Sequence, residues 1–169
     1  MIFWSFSFVW FKIANKDYDP IAIVFIRLCI AIVFLSAFLW ITGRFTRVKK
    51  GDRKYFFLLA LFEPFLYFLG ESFGLTYVSS TVGSVIISTI PVFAVIFAWV
   101  IYRERLKLIN YLGVIVSFAG VLIFITNSTG SIEMNPRGLA LMFLAVISAV
   151  GYNMVLHRLA HQYDPVTIV

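Results

Sequence analysis

Five apolar runs divide this chain, at about residues 20–42, 55–77, 80–102, 108–127 and 137–156. Each is long enough, or nearly so, to cross a hydrocarbon core, which needs about 20 helical residues. Backbone amides in lipid have no water to bond, so each run must satisfy its own peptide groups, and no alternating barrel pattern offers another solution. The expected fold is all-α, a polytopic bundle of transmembrane helices. Composition agrees: 62% of residues are hydrophobic and 13% charged, and mean hydropathy is +0.96. Soluble domains use roughly 45–50% apolar and about 25% charged residues. In such a chain a net charge of +6 bears on sidedness, not on nucleic acid. The single Cys29 excludes an intramolecular disulfide.

The connectors RFTRVKKGDRK (44–54), RERLK (103–107) and NSTGSIEMNPR (127–137) are too short to hold a soluble domain. Residues 2–15 make about half a span. They lack a basic leader region and a small-residue cleavage site, so a truncated helix is expected there, not a signal peptide. Lys and Arg are distributed unevenly between the two sides. Arg44, Arg47, Lys49, Lys50, Arg53, Lys54, Arg103, Arg105, Lys107 and Arg158 fall on one side, whereas Lys12, Lys16 and Arg137 fall on the other and Arg27 lies within a span. The positive-inside rule makes the first side cytoplasmic and the expected location the inner (cytoplasmic) membrane.

An internal echo accompanies this asymmetry. FKIANKDYDPIAIV (11–24) is matched by LHRLAHQYDPVTIV (156–169), aligning Tyr18-Asp19-Pro20 with Tyr163-Asp164-Pro165. Five crossings separate the copies, so they face opposite sides, the arrangement that inverted-repeat transporters require.

The stretch from Phe73 to Ile123 resembles the EamA-like family of the drug/metabolite transporter superfamily. The resemblance rests on Gly74-Leu75 before a small-residue turn, mid-helix Pro91, the Glu104-Arg105-Leu106 helix end, and Gly113 with Gly120 in the next helix. FWSFSFVWFK before Pro20 and IRLCIAIVFL (26–35) resemble the family's first two helices. The resemblance implies ten helices in two inverted five-helix halves, and secondary transport of small polar metabolites, often as export. Residues 1–127 are then the first repeat with its first helix truncated, and 137–169 the start of the second.

Candidate functional residues stand out because charge is costly in lipid, at least about 2.5–3.5 kcal/mol per group on insertion scales. Glu63, Tyr67 and Glu71 are spaced at i, i+4 and i+8, so one helix would align them as a stripe lining a polar cavity or gripping neighbouring helices. At ~1.5 Å per residue from Tyr55, Glu63 lies ~12 Å and Glu71 ~24 Å into a core about 30 Å thick. Arg27, ~10 Å below the other face, comes level with Glu71, so an ion pair is expected unless Arg27 snorkels outward. Pro64 and Pro91 are helix-breaking positions whose missing N–H groups free carbonyls in mid-membrane. Ser80, Ser84 and Ser88 form a possible substrate face on the run 80–102, or a close-packing stripe. Gly70/Gly74 and Gly113/Ser117 read as packing, and Glu104 as a structural residue at a helix end. His157, His161 and Asp164 imitate metal-ligand spacing, but they lie in a basic connector opposite Lys12, Lys16 and Asp19 of the other copy, and are expected to be solvated. No nucleophile–base pair, phosphate loop or cofactor motif occurs, so neither an enzyme nor a cofactor is expected.

The resulting expectation is a secondary transporter exporting a small metabolite or drug-like compound against protons. Glu63 is the coupling group, Tyr67, Ser84 and Ser88 possible substrate contacts, and Arg27 with Glu71 an outer-side pair. Expected partners are the substrate, protons, the bilayer and possibly a second copy of the chain. A non-transporting assembly subunit, or a piece needing a second half or a dimer, is the alternative the residues leave open.

Overall fold

A computed structural model describes residues 2–43, 48–102, 108–127 and 135–168, and among these every regular element is helical. α1 (Ile2–Ala14) precedes α2 (Pro20–Thr42). The next run is split into α3 (Arg53–Ala60), a wide π-type turn at Leu61–Leu66, and α4 (Tyr67–Tyr77). The third run is split into α5 (Ser80–Ile87) and α6 (Ile90–Tyr102). α7 (Leu108–Asn127), α8 (Pro136–Ala160) and the short α9 (Pro165–Ile168) follow. Among the described residues four helices, Pro20–Thr42, Arg53–Tyr77, Ser80–Ile101 and Pro136–Ala160, are long and apolar enough to cross a membrane. α7 adds a further apolar helix of 20 residues.

Local chemistry sets the boundaries. α2 and α8 both start at a proline, whose fixed φ suits a helix and whose missing N–H would have no intrahelical partner there. The Asn135 side chain accepts the Arg137 N–H, and the Ser79 side chain accepts the Val82 N–H, capping α8 and α5. α2 ends at Gly43 with φ 63°, the left-handed conformation glycine adopts at little cost.

The two breaks have different forms. Before Pro64, steric conflict with the proline ring disfavours helical backbone, and Glu63 is extended at φ −141°, ψ 120°. The turn widens around this residue before α4 resumes. Pro91, by contrast, lies in the first turn of α6, just after Ser88 and Thr89 interrupt the run.

α4 packs along α8 more extensively than any other pair of elements. Water cannot drive such association in lipid, so close backbone approach must supply it. A Cβ on Gly70 would lie 2.6 Å from the Leu141 carbonyl oxygen, one on Gly74 2.6 Å from Met142 Sδ, and one on Gly138 2.7 Å from Tyr77 Cβ. Gly70 and Gly74 thus serve the packing expected of them, whereas Gly113 faces open space, and the Ser117 side chain lies outside the described residues. Around this seam Phe8, Phe11, Tyr67, Leu75, Val78, Ile87, Met142, Ala145, Val146 and Ala149 form the main core. A second cluster, Leu59, Leu159 and Ile168, lies at the end of the bundle that carries Lys49, Lys50 and Arg158. α2 buries none of its residues, and Trp40 on it is 87% exposed.

Candidate functional site

Tyr67 and Glu71 are one turn apart on α4 and both point into the bundle, 1% and 4% exposed. The Tyr67 hydroxyl donates to Glu71 Oε1 at 2.9 Å. Arg27 Nη1 of α2 stands 3.8 Å from Glu71 Oε2. Its guanidinium carbon also lies 4.4 Å from the centre of the Phe68 ring, a cation–π position. Phe68 thereby holds the cation beside the carboxylate.

The helix that would align Glu63 with Tyr67 and Glu71 is interrupted at Glu63. The sequence expectation assumes an unbroken helix with 100° between residues, and the extended backbone at Glu63 ends that regularity. The wide turn packs against α8, where the Phe62 ring is so close that a Cβ on Gly151 would lie 2.9 Å from its Cε1. There Glu63, half-buried, is within electrostatic reach of Arg27 and of the Tyr152 phenol. One cation, Arg27, is therefore within electrostatic reach of both carboxylates. Beside Tyr152, the Asn153 side chain donates to its own helix at Ala149 O.

The serines stand apart. Ser84 Oγ donates to Thr81 O and Ser88 Oγ to Val85 O, so both hydroxyls are engaged by their own backbone, and neither bonds the carboxylates. Ser80 Oγ reaches Phe8 O at 3.4 Å, joining α5 to α1. The His157 and His161 rings meet edge to face at 5.4 Å. Among the described residues no group of three or more His, Cys, Asp or Glu side chains could hold a metal ion. Glu104 lies outside the described residues.

Two participants were not singled out from the sequence, Phe68 and Tyr152. Phe68 is one aromatic among many in its run and carries no distinguishing signal. Tyr152 had one available: Gly151-Tyr152-Asn153 puts a phenol and an amide inside an otherwise apolar run.

Comparison with known proteins gives consistent matches. An uncharacterized transporter of Archaeoglobus fulgidus is 32% identical over 98% of this chain and 58% of its own length. The uncharacterized transporter YcxC of Bacillus subtilis is 28% identical over 93% of the chain and 51% of its own. Protein PagO of Salmonella typhimurium is 26% identical over 92% and 52%. The chain thus spans about half the length of these relatives. No solved structure gives a significant match. The sequence profile of the EamA-like transporter family covers residues 1–126, nearly the whole of the described first seven helices, and the chain belongs to that family.

Proposed function

We propose that the protein is a secondary transporter of the drug/metabolite type that exports a small compound in exchange for protons, with Glu63 as the coupling group. The observation that carries this reading is the break at Glu63-Pro64 inside a run otherwise able to cross a membrane, with the carboxylate in reach of Arg27 and Tyr152. A carboxyl group in mid-membrane can lose its charge only by taking up a proton, and a neighbouring helix break gives it a way to turn between the two sides. The end bearing Lys49, Lys50 and Arg158 is then cytoplasmic, and the cell membrane is the location.

In this reading residues 1–127 form one repeat and 137–169 begin its inverted counterpart. Support comes from Tyr18-Asp19-Pro20 and Tyr163-Asp164-Pro165 lying at opposite ends of the bundle, each just before a helix that starts at proline. The relatives' printed names support transport as a class.

The test uses the full-length protein in proteoliposomes. Glu63→Gln keeps size and hydrogen bonding but cannot titrate. It should abolish accumulation driven by a pH gradient while sparing substrate exchange. Unchanged pH-driven accumulation would make Glu63 a structural residue, and no flux in the parent protein would favour an assembly subunit. A cysteine at Lys50, with native cysteines replaced, should react with an impermeant thiol reagent only after cells are permeabilised. Labelling in intact cells would reverse the orientation.

A further inference from the structure

Inside the five apolar runs, beyond Arg137 at the very start of the last, the only Lys, Arg, Asp or Glu residues are Arg27, Glu63 and Glu71. They come from two different runs, yet the fold gathers them. Arg27 Nη1 stands 3.8 Å from Glu71 Oε2, and Glu63 is within electrostatic reach of the same guanidinium. The Tyr67 and Tyr152 phenols face the two carboxyl groups from α4 and α8. The other titratable or charged groups on the neighbouring elements lie toward the ends of the bundle. Lys12 is in the last turn of α1, Arg53 and Lys54 in the first turn of α3, and Arg137, His157 and Arg158 in the end turns of α8, with Asp17 and Asp19 between α1 and α2. One cation therefore faces two carboxyl groups at membrane depth.

A charge left uncompensated there is costly, and such groups pair or lose their charge. Arg27 keeps its proton, so the cluster is neutral only if one carboxyl group is protonated. The geometry points to which. Glu71, 4% exposed, accepts the Tyr67 O–H at Oε1 over 2.9 Å and has Arg27 beside Oε2. Both its oxygens thus meet a donor or a cation, as an ionised carboxylate requires. Arg27 is not locked to it, because 3.8 Å is beyond hydrogen-bond range. Its second contact is the face of Phe68, which imposes no hydrogen-bond direction on the guanidinium.

We infer that Arg27, Glu63 and Glu71 form one neutral unit holding a single exchangeable proton shared between the two carboxyl groups, with Arg27 as their common counter-charge. In the arrangement described, Glu71 is ionised and Glu63 carries the proton. When Glu63 gives that proton to water, Glu71 takes one from water and Arg27 turns to Glu63; only O–H bonds form and break. Glu71 is thus a positioning residue for the proton on Glu63. Neutrality needs no substrate, and only the coupling of this proton to flux rests on the transporter reading.

Infrared spectroscopy of the full-length protein in an ester-free detergent counts protonated carboxyl groups, whose C=O stretch is separate from those of carboxylates and amides. Near neutral pH, Glu63→Gln should remove the absorption of one carboxyl group. Glu71→Gln should remove one as well, although it deletes the ionised partner, because Arg27 alone then balances Glu63. Arg27→Gln should add one, and Arg27→Lys should leave the count unchanged. Full absorption retained in Glu71→Gln would show that Glu63 holds its proton through burial alone and overturns the sharing. No gain in Arg27→Gln overturns Arg27 as the counter-charge, and no loss in Glu63→Gln overturns the neutral unit. The two glutamine variants of the carboxylates are nearly isosteric, so their comparison stands even if Arg27→Gln does not fold. Expected counts together with unchanged pH-driven accumulation in Glu63→Gln defeat the transporter coupling and leave the unit standing. Full absorption in Glu71→Gln together with lost accumulation in Glu63→Gln defeats this inference alone.

Discussion

The two ends of the bundle are held together by different chemistry. At the end where α4 finishes and α8 begins, Gly74 and Gly138 let backbones touch, and Val78 and Tyr77 close over the contact. At the basic end α3 and the second half of α8 are tied through side chains. The Tyr163 hydroxyl donates to Asp52 Oδ2 at 2.6 Å and accepts the Lys49 N–H at 3.2 Å. The Tyr163 ring meets Phe56 edge-on at 5.2 Å, and the Arg158 guanidinium lies 4.4 Å from the centre of the Tyr55 ring. The matching copy of the motif has no such role: Tyr18 is 62% exposed. Each copy precedes a helix that starts at its proline, but the first bonds differ: the Asp19 carbonyl accepts from the Ile23 N–H four residues on, and the Asp164 carbonyl from the Thr167 N–H three residues on. The same three residues fix a helix start in both places, and the neighbours decide whether the tyrosine also becomes a tie.

Widening the seam should have the largest effect. Gly70→Val puts side-chain atoms against the Leu141 carbonyl and the Ala145 amide, which cannot move aside as a flexible side chain would. A loss of about 1–3 kcal/mol, the usual scale of overpacking, should appear as a lower Tm in detergent. A Tm unchanged by this variant would mean that α4 and α8 are not held by backbone approach.

Second comes the ion pair that joins α2 to α4. Arg27→Leu and Glu71→Leu should each cost less than the ~3–5 kcal/mol of a fully buried pair, because Arg27 is 44% exposed and partly screened. The double variant should lose less than the sum. Additive losses would show that the two charges stabilise independently.

The tie at the basic end should respond more mildly. Tyr163→Phe keeps the ring against Phe56 and removes both hydrogen bonds, so it should lower Tm, and by less than the two changes above. It should also speed labelling, from the basic end, of a cysteine at Val155, which packs in the cluster beneath. Tyr18→Phe should change neither quantity by more than about 0.5 kcal/mol. Equal effects at the two tyrosines would erase the contrast between the ends. A pH titration sharpens it further. Hydrogen bonding to Asp52, with burial adding to it, pushes the Tyr163 phenol above its ordinary value, against a smaller opposing effect of the Lys49 N–H. Its contribution is therefore complete below pH of about 10 and is lost as pH rises through the raised value. The Tyr163→Phe protein should lack this alkaline component when both are unfolded across pH.

The outer ends of the apolar runs were legible in the sequence, because each follows from a rule acting along the chain. Pro20 and Gly43 bound α2 by backbone preference, and a rise of ~1.5 Å per residue sets Arg27 level with Glu71 whatever lies between them. Lateral neighbours were not legible. Gly70 and Gly74 announce a close partner without saying that it is α8, and Tyr152 gains its place near Glu63 only from that pairing. The direction of Glu63 was lost for another reason: Pro64 told where the helix breaks, but rotation cannot be counted through an extended residue. Ser84 and Ser88 show the limit of spacing as a guide, since a hydroxyl can turn back to a carbonyl three residues earlier on its own helix.

The tie between Asp52 and Tyr163 spans 111 residues of chain, and this has a consequence for biosynthesis. A ribosome that has delivered α3 and α4 has not yet made the helix against which both will settle. Until α8 emerges, Gly70 and Gly74 present an unfilled groove, and Glu63 lacks the helix that shelters it. Contacts of such separation form late and expose their surfaces meanwhile. The two glutamates must therefore sit in a half-built bundle while three further apolar runs are synthesised. That interval is when this protein most needs its insertion machinery.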